Sequence, residues 1–348
     1  MDNYKKRITG ILFIGFLALA CILCMPSTAE AKVKLNKKSL TLEEGQTAVL
    51  KVKGTEKKVT WKSEKKKIAA VSQSGKVTAK KAGKTKIYAK VGNKKYKCDV
   101  TVTPKMHTKG DWKYFINDSG EKKTVTIDKY LGKDKKVEVP SKIKKMKVTA
   151  IDGGAFEDCK KIETVKLPKS ITSIGNGAFY GCANLQQINL PEAVTAIGAD
   201  AFGGCKNLES IELPKGITEI KFGTFKSCLS LKNIDIPEGV TEIGESAFEE
   251  CLKLETVKLP STVTKIGAGA FTECSSLKTF VIPAGVTEIG NIAFDSCIGL
   301  TEIEIPNSVT SIGKNAFYGC SKDLVILGSA GSCAQKYAQE NGLNFKEI

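Results

Sequence analysis

The fold of this chain is decided by residues 240–262, which read VTEIGESAFEECLKLETVKLPST. The same arrangement returns at a fixed step of 23 residues in both directions. Phenylalanine holds the same place at Phe156, Phe179, Phe202, Phe225, Phe248, Phe271, Phe294 and Phe317. Cysteine follows three residues later at Cys159, Cys182, Cys205, Cys228, Cys251, Cys274, Cys297 and Cys320. A short unit cannot bury its apolar face alone, so the repeat indicates units that stack on one another.

Each part of the unit has its own predicted structure. Phe248 and Cys251 are three residues apart, which predicts a single helical turn with one buried face. Val257 and Leu259 alternate with polar residues, which predicts a short half-buried strand. Gly244 marks a turn in which a side chain is expected to be costly. Stacked units of this kind predict a parallel solenoid with equivalent residues in columns.

The unit resembles that of the BspA-like leucine-rich-repeat family, V-T-x-I-G-x-x-A-F-x-x-C-x-x-L-x-x-I-x-L-P, over about residues 124–348. The resemblance implies a bacterial surface or secreted protein linked to adhesion. It also implies special ends: an N-terminal hairpin over 124–140, and a C-terminal cap with a helix over 332–341 that stops at Gly342.

A few units depart from the pattern. Asp152 and Lys221 replace the turn glycine, and Thr224 replaces the alanine that precedes Phe225. Five extra residues before Ile151 are expected to form a loop. We interpret the substitutions as local strain and not as a binding site.

Residues 33–103 contain seven short apolar alternations separated by turn residues, which predicts a small β-sandwich. Trp61 and the segments 68–72, 75–79 and 82–85 resemble the bacterial immunoglobulin-like domain of group 2. In that family such modules are spacers or adhesive units. The predicted fold class is therefore mainly β: a small immunoglobulin-like β-sandwich, then a leucine-rich-repeat solenoid of 23-residue units with a C-terminal helix–strand cap.

The first residues predict a secretory signal. Lys5, Lys6 and Arg7 precede an apolar run, and an A-x-A motif predicts cleavage after Ala31. The run is shorter than the roughly 20 residues that cross a bilayer, so no span is expected after cleavage. Lipid attachment at Cys21 is an alternative. The expected location of the protein is secreted or at the cell surface.

The sequence predicts five segments. They are a signal peptide over 1–31, an immunoglobulin-like module over 32–104, a connector and N-terminal cap over 105–147, the solenoid over 148–327 and a C-terminal cap over 328–348.

Charge is distributed unevenly along a chain whose net charge is +17. Residues 32–104 hold 21 lysines and 5 acidic residues, a net charge of +16, whereas residues 148–348 hold 17 lysines and 24 acidic residues, a net charge of −7. The basic module predicts contact with an anionic cell-wall polymer, although such lysines also serve simply as a solvated surface. The lysines proposed for this contact are Lys65, Lys66, Lys67, Lys80, Lys81, Lys94 and Lys95. A nucleic acid partner is not expected, because an exported module without a recognition motif does not fit one.

The sequence lacks the histidines on which many catalytic and metal sites depend. His107 is the single histidine of the 348 residues, and we place it in the connector between the modules. Ser-His-Asp and Cys-His catalytic sites and multi-histidine metal sites are therefore excluded. Residues 32–348 contain no C-x-x-C motif, which argues against zinc. We expect no enzymatic activity, no cofactor and no metal.

The repeat cysteines are predicted to be buried free thiols. In a parallel column, neighbouring Cβ atoms would lie about 5 Å apart, which exceeds the separation of about 3.8 Å usual in a disulfide.

The outward positions of the repeat are the candidate binding surface, because they vary between units while the apolar positions do not. The candidate ligand-binding residues are Lys166, Asn189, Glu212, Asp235, Lys258, Val281 and Glu304. A second outward column contains Ser173, Ala196, Glu219, Glu242, Lys265, Glu288 and Ser311. The sequence predicts an adhesin that binds a protein or glycan ligand on a host or microbial surface through the solenoid. The alternative is a structural wall protein held by its basic module.

Overall fold

The computed structural model describes residues 32–348, so the predicted signal peptide and Cys21 lie outside the described residues. The described chain forms two compact units, and the second unit begins at Pro104. Within residues 32–348 no helix has both the length and the apolar character needed to cross a bilayer.

The first unit is a β-sandwich, as predicted from the sequence. Its larger sheet joins Ser39–Glu43, Lys94–Thr103, Gly83–Val91 and Val59–Ser63 in that order, its smaller sheet joins Thr47–Val49, Lys76–Ala79 and Ala69–Val71, and Lys34–Leu35 pairs with Val52–Lys53. Gly75 shows why the motif needs a glycine: its φ is +79°, and an added Cβ would lie 2.3 Å from the Leu50 carbonyl oxygen and 2.9 Å from the Trp61 ring.

The second unit begins with an antiparallel meander. Its strands are Met106–Lys109, Trp112–Asp118 and Lys123–Tyr130. The hairpin predicted over 124–140 was wrong, because Lys123–Tyr130 pairs with Trp112–Asp118, whereas Lys136–Glu138 pairs with Thr164–Lys166 in the solenoid. His107 is paired with Tyr114 in this meander, so its predicted place in a connector was wrong. The predicted loop before Ile151 was also wrong. Lys142–Ile143 and the first residues of Met146–Ile151 form a hairpin, and Lys144 and Lys145 at its tip both have positive φ, the conformation of a type I′ turn.

The solenoid has two columns of parallel strands, which we call the long-strand and short-strand columns. The long-strand column consists of three hydrogen-bonded groups: Lys136–Glu138, Thr164–Lys166 and Gln187–Asn189; Asn233–Asp235 and Thr256–Lys258; and Thr279–Val281, Glu302–Glu304, Val325–Gly328 and Asn344–Glu347. The short-strand column consists of two groups: Met146–Ile151, Ser173–Ile174 and Ala196–Ile197; and Glu219–Ile220, Glu242–Ile243, Lys265–Ile266, Glu288–Ile289 and Ser311–Ile312. The helical turns between the columns form a third side, which we call the turn face.

The chain ends in a cap that matches its prediction. The helix spans Cys333–Asn341, the Ser332 hydroxyl accepts a hydrogen bond from the Gln335 amide, and Gly342 ends the helix with a φ of 65°. These are the usual N-cap and C-cap devices of an α-helix.

The repeat phenylalanines form one continuous stack inside the solenoid. Neighbouring rings are 4.8–5.6 Å apart between centroids and are tilted by at most 15°. Trp112 and Tyr130 cover the stack at the Phe156 end. Tyr337 from the C-terminal helix covers Phe317 at the other end, with 5.9 Å between ring centroids. Aromatic residues of both caps therefore shield a core that would otherwise be open at its ends.

The repeat cysteines lie beside this stack as free thiols; six are buried as predicted, whereas Cys159 and Cys320 at the ends of the column are only half-buried. From Cys182 to Cys320, each thiol donates a hydrogen bond of 3.0–3.3 Å to the carbonyl oxygen of the phenylalanine in the preceding unit. A small apolar side chain that also carries a weak donor suits this position, because it packs in the core and ties two units together.

A side chain at the turn glycines would be costly, as predicted, and the structure shows the reason. A Cβ atom added at the turn glycines of the repeat would lie 2.3–2.7 Å from backbone atoms of the preceding unit. Their φ angles are ordinary, and the positive φ falls two residues later, for example at Gly223, Ser246 and Ile292. Close approach of the stacked backbones, and not an unusual conformation, therefore excludes a side chain at the turn.

Lys221 breaks this rule, and both strand columns are interrupted beside it. The amides of Gly198 and Gly244 donate to carbonyls of their preceding units at 2.9 Å and 2.7 Å. Among the described residues, Lys221 makes no such bond, and Ala196–Ile197 does not pair with Glu219–Ile220. At the turn glycines the backbone of the preceding unit occupies the space where a Cβ atom would lie. The Cβ of Lys221 fills that space, so the two backbones cannot approach as closely there. The turn face stays continuous, since the Phe202 amide donates to the Thr224 carbonyl at 2.9 Å.

The buried thiols should resist alkylation. Burial raises the pKa of Cys182 to about 12 and holds the pKa of Cys251 well above its usual value. Only the thiolate reacts, so in the folded protein at about pH 8 iodoacetamide should leave Cys182, Cys205, Cys228, Cys251, Cys274 and Cys297 unmodified. Mass spectrometry of folded and denatured protein measures this. Labelling of these six in the folded protein as fast as that of the half-buried Cys333 would contradict the structure.

Ile292→Asn should stabilise the protein. Ile292 is β-branched and held at a φ of 50°, whereas Asn315 fills the same place one unit later at 58°. Because asparagine tolerates the left-handed region better, we expect the free energy of unfolding to rise by about 1 kcal/mol. Thermal unfolding followed by circular dichroism measures the gain. The control is Ile298→Asn, an exposed site without positive φ, where the change should stay below about 0.5 kcal/mol.

Candidate functional site

The long-strand column carries the predicted ligand-binding residues on its outward side. Register pairs Lys166 with Asn189, Asp235 with Lys258, and Val281 with Glu304. The buried residue between each pair of outward positions, such as Ile234, points into the core. The predicted alternation therefore places these residues on one face of the solenoid.

Two of the seven predicted residues are engaged in structural contacts. Lys166 forms an ion pair of 2.9 Å with Glu138. The Asn189 side chain accepts a hydrogen bond from the Leu167 amide at 3.1 Å and donates to the Leu167 carbonyl at 3.3 Å. Both residues hold neighbouring units together, which leaves Glu212, Asp235, Lys258, Val281 and Glu304 to form the outer surface.

A cleft of about 670 Å³ opens on this face between two neighbouring units. Glu212 and Lys215 line one wall, and Asp235 and Glu238 line the other, with Ile211 and Ile234 at the base. Three carboxylates face one lysine, and within the described chain Glu212, Asp235 and Glu238 form no ion pair. The cleft is therefore an acidic recess with an apolar base.

The cleft lies where the long-strand column is interrupted. Residues 210–212 form no strand, although the equivalent residues of the next unit form Asn233–Asp235. Like charges at Glu212 and Asp235 oppose close pairing of these two units. The unit that contains Lys221 forms one wall of the cleft, so the departure that we interpreted as local strain accompanies an opening in the surface.

Beyond the cleft the same face continues through Lys258, Val281 and Glu304. The Val281 side chain is 75% exposed, which makes it the most exposed large apolar residue of the described chain. The short-strand column differs, because most of its charges are paired: Lys221 pairs with Glu219 at 3.0 Å and Lys265 pairs with Glu288 at 3.4 Å.

The structure brings together only some of the lysines predicted for wall contact. All seven are exposed. The amides of Lys80 and Lys81 donate to the Ile68 carbonyl at 2.8 Å and 3.2 Å, so the loop that holds Lys65–Lys67 lies against the loop that holds Lys80 and Lys81. Lys94 and Lys95 follow the far end of Gly83–Val91, roughly 27 Å away.

Exposed aromatic residues on the turn face were missed by the sequence analysis. Tyr180 and Phe222 are each 46% exposed, and Tyr318 is 69% exposed. A signal was present, because Tyr180 and Tyr318 directly follow column phenylalanines, where the other units carry polar residues or glycine. Aromatic residues of this kind often dominate binding.

Residues 32–348 hold no cluster of three or more histidine, cysteine or acidic side chains placed to bind a metal. The surface offers four features for non-covalent binding: an acidic recess, an apolar valine, a basic end of the sandwich and aromatic rings on the turn face.

Comparisons with protein families match both units. The family described as BspA type leucine rich repeat region (6 copies) matches residues 133–254 and 195–323, which together cover more than half of the chain. The bacterial Ig-like domain (group 2) matches residues 31–102. No curated protein matches the chain.

Several solved structures are similar. A leucine rich cell surface protein from Faecalibacterium prausnitzii is 28% identical, with 64% of this chain and 76% of that chain covered and a TM-score of 0.49. A leucine-rich repeat protein of T. pallidum is 28% identical, with 70% and 98% covered and a TM-score of 0.46. One from Eubacterium ventriosum is 26% identical, with 64% and 71% covered and a TM-score of 0.41.

Proposed function

Because the chain belongs to the BspA type leucine-rich-repeat family, whose members are cell-surface or secreted proteins that bind other proteins, we propose that it is an adhesin. Its ligand is a host or microbial protein, and the solenoid binds it through the outward side of the long-strand column. Export follows cleavage of the signal peptide after Ala31. The protein has no enzymatic role and uses no cofactor in this proposal.

The observation that carries the proposal is the acidic cleft between Glu212 and Asp235. Unpaired carboxylates above the apolar base of Ile211 and Ile234 suit a ligand segment with a basic residue beside an apolar one. Lys258, Val281 and Glu304 extend the same face over three further units. A contact area of this kind combines one recess for an anchor residue with a polar surround, which is the usual anatomy of a protein interface.

A second proposal concerns the first unit, whose basic end favours an anionic polymer of the cell wall. Lys65, Lys66 and Lys67 lie beside Lys80 and Lys81 at one end of the sandwich, as the contacts to Ile68 show. Like charges held close together raise the local positive potential and attract a polyanion. The pair Lys94 and Lys95 lies too far away to join this patch.

Charge reversal in the cleft tests the adhesin. The protein carrying Glu212→Lys and Asp235→Lys should bind cultured epithelial cells about tenfold more weakly or worse, because a basic ligand segment would meet like charge. Binding of fluorescently labelled protein, measured by flow cytometry, gives the affinity. Protease treatment of the cells should abolish binding of the unmodified protein.

The matched control is Glu242→Lys with Glu245→Lys, which makes the same change of net charge at exposed positions outside the long-strand column. Its cell binding should equal that of the unmodified protein. Equal loss in both double variants would show a non-specific charge effect, and loss in neither would refute the assigned face.

Salt dependence tests wall binding. The quadruple variant with Lys65→Gln, Lys66→Gln, Lys67→Gln and Lys80→Gln should bind cell walls much more weakly at low salt. Binding is measured as the amount of protein that sediments with purified cell walls containing teichoic acid. Raising the salt concentration to about 0.5 M should likewise weaken wall binding by the unmodified protein, because exposed charges are then screened within a few Å. Lys94→Gln with Lys95→Gln is the control at the other end of the sandwich and should have a smaller effect. Binding that ignores salt would exclude an electrostatic contact.

A further inference from the structure

A second cleft, of about 560 Å³, crosses the turn face over four successive units. It lies on a different side of the repeat from the proposed protein-binding face. The exposed rings of Tyr180 and Phe222 line it, together with Asp200, Lys206 and Lys226. Its volume falls in the usual range for sites that hold a small ligand.

The floor of the cleft is open because Gly181, Gly203 and Gly204 stand where several other units carry side chains. Gly203 and Gly204 follow Phe202, whereas Lys226 and Ser227 fill the same places in the next unit. A Cβ at Gly203 would lie 3.0 Å from a ring carbon of Tyr180. The tyrosine ring is therefore laid over a bare backbone.

The charges of the cleft nearly cancel. Lys226 forms an ion pair of 2.9 Å with Glu249, and Lys160 at the edge pairs with Asp158 at 3.5 Å. Within the described chain, Lys206 and the Asp200 carboxylate have no ion-pair partner. Lys206 therefore remains as a charged hydrogen-bond donor and Asp200 as an acceptor. Because their charges are opposite, the cleft does not favour a ligand with a large net charge.

The Asp200 carboxyl is partly removed from water. Asp200 is half-buried, and its φ of 54° is the positive φ that the same place takes in other units, for example at Ser246 and Asn315. Burial raises the pKa of its carboxyl, and attraction to Lys226 offsets only part of that shift. A partly buried carboxylate without a partner is typical of a functional site.

We propose that this cleft, formed by Tyr180, Phe222, Asp200 and Lys206, binds a neutral oligosaccharide. A sugar ring has an apolar C–H face, which stacks on an aromatic ring, and a rim of hydroxyl groups, each both donor and acceptor. The hydroxyls donate to the Asp200 carboxylate and accept from the Lys206 ammonium. The two rings lie two units apart, so they contact separate sugar residues along the chain of the ligand. The binding of protein ligands by the long-strand column is independent of this site.

The test uses the full chain on an array of neutral and anionic oligosaccharides, followed by calorimetry with the neutral oligosaccharide that binds best. Tyr180→Ala, Phe222→Ala and Asp200→Asn should each weaken binding about tenfold or more. Asp200→Asn removes a charge that burial disfavours, so it should not lower the melting temperature at neutral pH, and its loss of binding cannot come from unfolding.

The matched control is Tyr318→Ala, which removes an exposed tyrosine at the same place in another unit. It should bind the oligosaccharide unchanged, as should the protein with Glu212→Lys and Asp235→Lys. Three results would overturn the proposal: binding to no neutral oligosaccharide on the array, binding only to anionic ones, or equal affinity in the Tyr180 and Tyr318 variants. Loss of binding to a protein ligand in Tyr180→Ala, without any oligosaccharide binding, would mark the cleft as a protein contact and equally overturn it.

Discussion

The stack of phenylalanine rings is the interaction on which the rest of the solenoid depends. Rings 4.8–5.6 Å apart set the spacing between units, and that spacing is close to the distance between hydrogen-bonded strands. The strand columns and the thiol–carbonyl bonds can therefore form together with the stack. Trp112, Tyr130 and Tyr337 end the stack with aromatic surface from the caps, so no ring is left facing water.

Such a core leaves function to the outside of the repeat. The apolar positions are alike in every unit because each must fit between two copies of itself, whereas outward positions have no such constraint. The unit that contains Lys221 and Phe222 shows how one irregular member changes this surface. It interrupts both strand columns and borders the acidic cleft on one side and the aromatic cleft on the other.

The basic first unit and the acidic solenoid favour ligands of opposite charge, because electrostatic attraction acts in both cases. Lysines that converge at one end of the sandwich raise a positive potential there, whereas unpaired carboxylates in the recess between Glu212 and Asp235 attract positive charge. The two proposed contacts are therefore separable by charge and by salt, and a single chain can carry both.

The period of 23 residues and the alternation within strands were enough to predict the solenoid and the sandwich, the buried Phe positions, six of the eight buried Cys positions and the outward face of the long-strand column. The structure of His107 and of the residues before Ile151 was predicted wrongly, because both lie in short hairpin strands rich in polar residues, where no clear alternation of apolar and polar residues marks a strand. Which outward residues make structural contacts, as Lys166 and Asn189 do, depends on how neighbouring units pack and follows only from the folded chain. The tertiary structure also decided where the clefts open, because a gap between units depends on how neighbouring backbones meet, as Lys221 and Gly203 show, and no single unit contains that information.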